Sequence, residues 1–70
     1  MMNSQVQSIL FERSKWTYAK AMEWLVKHNY SPLKIDITNN FYRFRIFPPS
    51  MFSRFRTKKV SDGIEFVIGF

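Results

Sequence analysis

The side chains with chemistry to offer lie between positions 41 and 60. Arg43, Arg45, Arg54, Arg56, Lys58 and Lys59 occur there with no acid among them, interleaved with Phe41, Tyr42, Phe44, Phe47, Phe52 and Phe55. Cations spaced through aromatic rings are what single-stranded nucleic acid requires of a surface, with charges on phosphates and rings under bases. The remaining residues hold equal numbers of basic and acidic side chains, so the formal net charge of +6 arises from this stretch. On alternating positions of a strand, Arg43 and Arg45 share one face with Phe41 and Phe47. Arg56 and Lys58 of a neighbouring strand are expected on that same face, and Lys34, Arg54 and Lys59 add to its field.

Two other readings of the same residues stand beside this one. Alternating Phe and Arg is what any half-buried strand shows, apolar inward and charged outward, and cations on a sheet edge deter aggregation. Arg, Tyr, Phe and Trp also dominate protein interfaces. The segment Phe47-Pro48-Pro49-Ser50-Met51-Phe52 bears on that alternative. Its large apolar residues Met51 and Phe52 either fold back to cap the core or form a contact for a protein partner. The leading expectation is a small basic module that binds nucleic acid, DNA or RNA. The alternative is a protein interaction module.

Catalysis has little to draw on. The five acids are scattered, the only glycines are Gly63 and Gly69, and there is no cysteine, so neither a disulfide framework nor a thiolate metal site can form. The single histidine, His28, falls in the last turn of a helix, where interaction with the helix dipole accounts for it. No enzymatic activity, metal or cofactor is expected. No apolar run approaches membrane-spanning length, and Met1 to Gln7 lacks the basic-then-apolar pattern of a leader. The expectation is an intracellular protein with no membrane association. Small chains often gain stability by self-association, so a monomer and a homodimer are both open.

Behind these residues must stand a fold able to present them. At 70 residues the chain is expected to be one domain spanning 1–70, and 46% apolar with 19% aromatic residues places it among folding rather than disordered chains. Residues 6–11 read as a strand. Residues 18–28 read as a helix: Thr17 as N-cap, Trp16 at the staple position, and Tyr18, Ala21, Met22 and Leu25 on one apolar face that Trp24 and Val26 widen. Trp16 and Trp24 are assigned to the core. Asn29 is suited to the left-handed position after the helix, and Pro32 stops it resuming.

Asn39-Asn40 then reads as a two-residue hairpin turn pairing Ile37 with Tyr42, Asp36 with Arg43, Ile35 with Phe44 and Lys34 with Arg45. Ile35, Ile37, Tyr42, Phe44 and Ile46 face inward in this register. After a loop or helical turn over 50–54, a second hairpin turns at Asp62-Gly63. A two-residue turn there groups Phe55, Thr57 and Lys59 with Ile64, Phe66, Ile68 and Phe70, and Arg56, Lys58 and Val60 with Glu65 and Val67. A bulged turn shifts that pairing. The last strand is expected to run to the chain end, as a complete domain would. The fold class is α+β, one helix packed on a small antiparallel sheet in the order β-α-β-β-β-β.

The segments Val6-Gln7-Ser8-Ile9-Leu10-Phe11, Trp16-Thr17 with Ala21 and Trp24-Leu25, Asn40-Phe41-Tyr42-Arg43-Phe44-Arg45, Phe55-Arg56-Thr57-Lys58-Lys59 and Asp62-Gly63-Ile64 resemble a short module of tailed-phage and large DNA virus proteins. The resemblance spans nearly the whole chain. It implies a viral or phage accessory protein, in the host cytoplasm or nucleus or associated with the virion, and it assigns no functional residues.

Overall fold

The first strand, β1 (Gln5–Glu12), becomes the middle of the sheet. It runs one residue beyond the predicted strand at each end. The computed structural model describes residues 4–70, so the first three residues of the Met1–Gln7 stretch lie outside the described residues. After β1 come helix α1 (Tyr18–Lys27), β2 (Lys34–Ile37), β3 (Phe41–Arg45), a 3-10 turn at Pro49–Met51, β4 (Phe55–Ser61) and β5 (Ile64–Gly69). The five strands lie in the order β2-β3-β1-β5-β4, every neighbour antiparallel. This is the expected α+β class. β1 and β2 therefore run the same way with β3 inserted between them, and α1 is the crossover that joins them.

The helix ends follow from the sequence. The Thr17 hydroxyl accepts the Lys20 N–H at 3.2 Å. At the other end Asn29 takes φ 62°, the Tyr30 N–H donates to the Leu25 carbonyl at 2.9 Å and the Asn29 N–H to Val26 at 3.2 Å. That pair of bonds is a Schellman closure, which needs a left-handed residue where Asn29 sits. Ala21 and Leu25 are fully buried against the sheet. Val26, expected to widen that stripe, is instead exposed, because one step beyond Leu25 turns it about 100° away from the sheet.

The core is Ile9, Phe11, Ala21, Leu25, Phe44 and Ile64, and Phe11 is its hub. Its ring lies edge-on to Trp16 at 5.0 Å, Phe44 at 5.5 Å and Trp24 at 5.6 Å. Such pairs contribute about 0.5–1.5 kcal/mol each beyond area burial, which matters in so small a domain. Both tryptophans are half-buried around this hub. His28 stacks on the outer face of Trp24 at 3.8 Å, and its Nδ1 lies 2.8 Å from the Trp24 carbonyl.

The first hairpin has the expected register at every pair. The physical reason differs in one respect. Among the described non-glycine residues only Asn29 has positive φ, so Asn39 and Asn40 do not turn the chain by left-handed backbone. The Thr38 hydroxyl closes the turn instead, accepting the Phe41 N–H at 3.0 Å. Ile37 faces inward but lies on the edge strand and is 60% exposed.

The second hairpin departs from the two-residue pairing. Arg56 pairs with Ile68, Thr57 with Val67, Lys58 with Phe66 and Lys59 with Glu65, and the register shifts between Lys59 and Ser61. Val60 is the extra residue of a bulge. The cause lies in the turn: of its central residues only Gly63 has positive φ, at 75°, whereas the primed two-residue turn with Asp at its first position requires both. Distant residues hold the turn in this form. The Lys15 ammonium bonds the Asp62 carboxylate at 2.6 Å, the Trp16 indole N–H reaches the Asp62 carbonyl at 3.3 Å, and the Glu12 N–H donates to the Gly63 carbonyl at 2.8 Å. A Cβ on Gly63 would sit 2.8 Å from the Trp16 ring nitrogen.

Candidate nucleic-acid interface

α1 covers one side of the sheet and leaves the other open. Across the open side the strand registers line up two rows. One reads Lys34, Arg45, Ser8, Val67, Thr57. The next reads Asp36, Arg43, Leu10, Glu65, Lys59. Phe41 shares this side, opposite Glu12. The expected single basic face is therefore corrected in two ways. Because of the bulge at Val60, Arg56 and Lys58 project on the helix side with Ile68 and Phe66, not beside Arg43 and Arg45. In addition, Glu12 joins Asp36 and Glu65, both already expected there, on the side that carries Arg43 and Arg45, so this face is more balanced in charge than the 41–60 stretch.

The candidate cations nevertheless stay unpaired. Two ion pairs form among the described residues, Lys15–Asp62 and Lys27–Glu23. Asp36 stands opposite Arg43 in register without reaching it, as does Glu65 opposite Lys59. The Nε atoms of Arg43 and Arg45 are buried and have no hydrogen-bond partner. A buried donor left unsatisfied costs about 1–3 kcal/mol, but these covered atoms lie out of reach of an incoming acceptor. The Lys15–Asp62 pair behaves otherwise: its hydrogen bond, then its charge attraction, holds Asp62 below the usual carboxylate value and lifts Lys15 above the usual amine value.

β4 carries the densest charge. It is an edge strand, hydrogen-bonded to β5 alone, and all seven of its residues are exposed. Arg56 and Lys58 project to one side and Lys59 to the other, with Arg54 just before the strand. Arg54 and Arg56, together with Phe55 and Phe70, line a shallow cleft of about 180 Å³, and the Arg54 guanidinium sits 5.7 Å over the Phe70 ring. On the open side of the same strand lies a groove of about 380 Å³. Gln7, Leu10, Arg43, Pro49, Phe55, Thr57 and Val67 line it. Phe55, 48% exposed, belongs to both hollows. Sequence reasoning had no access to this groove, since four strands and the proline turn contribute to it and only Arg43 in it had been singled out for charge.

The proline segment divides its two apolar residues. The Phe52 ring lies directly on Gly69, where an added Cβ would fall 2.4 Å from it, and Phe47 rests edge-on against Phe52 at 6.3 Å. Phe52 thus caps the sheet, and Phe47 is committed to it rather than standing free. Met51 is 58% exposed.

Compared with family models, curated proteins and solved structures, the chain matches none. What it does has to be read from its own surface. Among the described residues no three His, Cys, Asp or Glu side chains gather to hold a metal ion, and no helix is long and apolar enough to cross a membrane.

Proposed function

We propose that this protein is a small binding module for nucleic acid, gripping the phosphate chain along β4 and onto the open side of the sheet. The observation that carries the reading is the edge strand itself. Arg54, Arg56, Lys58 and Lys59 lie within six residues, exposed and unpaired, beside Arg43 and Arg45, which are in neither ion pair. Cations needed only to deter strand pairing would not require unpartnered guanidinium groups on the neighbouring face as well. Binding of this kind requires no catalysis, and two of the five acids are already held in ion pairs. The order of segments that resembles phage and viral modules suggests a viral or phage accessory protein as its setting.

Fluorescence anisotropy with labelled oligonucleotides at two salt concentrations tests this. Affinity should fall by about 0.7–0.9 log units per log unit of salt for each phosphate contact. The pair Arg56→Glu with Lys58→Glu should abolish binding while circular dichroism stays unchanged. Arg43→Glu with Arg45→Glu should weaken it separately, since the two pairs lie on opposite sides of the sheet. Unchanged affinity in both double variants would refute the reading.

One observation favours a second reading. The outer edge of β4 has no strand beside it, so a partner's extended segment can add there by main-chain pairing. The edge cations would repel a second copy of β4 and welcome an acidic strand, and Met51 stands exposed as a further contact. A stable protein complex that resists nuclease and salt would favour this alternative over the first.

A further inference from the structure

We infer that the nucleic acid is single-stranded and that one unpaired base seats in the groove between Phe55 and Arg43. The inference rests on the nucleic-acid reading and adds a site to it. The groove has an apolar floor of Leu10 and Val67, an exposed aromatic wall in Phe55, and polar groups at its margin in Thr57 and Arg43. Gln7 is not free to serve. Its amide donates to the Phe47 carbonyl at 2.8 Å and its carbonyl oxygen accepts from the Ser8 hydroxyl at 2.7 Å. That leaves the Arg43 guanidinium, which lines the groove and is in neither ion pair, as the donor a ligand would meet.

A flat ring with acceptor atoms on its edge fits this combination: its faces want apolar and aromatic contact, and its edge wants a guanidinium. The neighbouring cleft supplies the rest. Phe55 separates the groove from the hollow bracketed by Arg54 and Arg56, so a base on one side of the ring leaves its phosphate close to two guanidinium groups on the other. Glu65 and Lys59 follow Leu10 in the same row. Glu65 would repel a phosphate at that end, which orients the backbone toward Arg54 and Arg56. A base held in a duplex cannot enter the groove without leaving its stack, so the site selects unpaired strands.

The test compares a single-stranded oligonucleotide with a duplex of the same length at one low salt concentration, by anisotropy. The unaltered protein should bind the single strand at least tenfold more tightly. Thr57→Trp, at an exposed strand position suited to an aromatic residue, fills the groove without changing charge. It should reduce single-strand affinity about tenfold and leave duplex affinity unchanged. Phe55→Ala provides a second variant that removes the wall instead of filling the hollow, with the same expected loss. Equal affinity for both ligands, unaltered by either substitution, would overturn the groove while leaving the phosphate-binding reading intact. An equal loss for both ligands would overturn it too, since the substitutions would then act on the phosphate path. Absence of binding to either ligand would overturn the underlying reading and the groove with it.

Discussion

Gly69 and Phe52 illustrate how a single missing side chain can decide a local structure. The Phe52 ring occupies the space a Cβ at Gly69 would need, so Gly69→Ala must push the ring out or bend β5. We expect a loss of about 1–3 kcal/mol, the range for overpacking. In a Phe52→Ala background the same change should cost little, because the obstructing ring is gone. A double-mutant cycle by thermal melting would show this coupling, and strictly additive losses would contradict it. Asp62 offers a pH test. Its carboxyl is held below the usual value by Lys15, so the stabilisation is present above the ordinary carboxylate pKa and disappears as pH falls through the lowered value. Lys15, raised in turn, keeps its contribution until pH rises through its own elevated value. Wild type should therefore melt slightly above Asp62→Asn at neutral pH, and the two should converge in strong acid. The pair is exposed, so the difference is small. A gap that persists below about pH 2 would show that something other than the carboxylate charge is responsible.

Among the elements, the two hairpins show what a sequence makes legible and what it hides. Residues 34–37 and 42–45 alternate strictly, and a one-residue slip would have turned Phe44 and Ile35 to solvent, so the register could be read directly. β4 has no such constraint. All its residues are exposed, and burial therefore cannot choose between registers. The choice falls to the turn, and the turn is held by Glu12, Lys15 and Trp16, nearly fifty positions away. That is why Arg56 and Lys58 were expected on the wrong side. The candidate site was legible to the same extent: the cations of β3 and Asp36 opposite them could be read from the hairpin, whereas Glu12 of β1 and the groove beside Phe55 depend on strand order. The bulge makes a sharp prediction. With Val60 deleted, the ladder from Ser61–Ile64 to Phe55–Gly69 becomes continuous, so Arg56 should still face Ile68 and Lys58 should still face Phe66. Cross-strand NOEs would report it, and an exchange of faces by these cations would contradict the role given to Val60.

For the molecule as a whole, the charge of +6 acts on folding and on binding in opposite directions. Unpaired cations repel one another in the folded state, and salt screens that repulsion. Raising salt from low to physiological strength should therefore increase the melting temperature modestly while it weakens nucleic-acid binding. A melting temperature that falls with salt would mean that favourable charge pairs outweigh the repulsion. The strand order has a further consequence, for synthesis. β1 emerges from the ribosome before the other strands, yet its neighbours are β3 and β5, and β4 hydrogen-bonds only to β5. Until β5 emerges β1 can pair with β3 alone, and Ile9 and Phe11, already met by Leu25 and Phe44, still lack Ile64 to complete the core. Long-range pairing of this kind folds slowly. Loss of the last six strand residues, Ile64–Gly69, would strand β4 as well and leave β1 with one bare edge. A nascent chain halted before β5 is therefore the species on which a chaperone or protease would act.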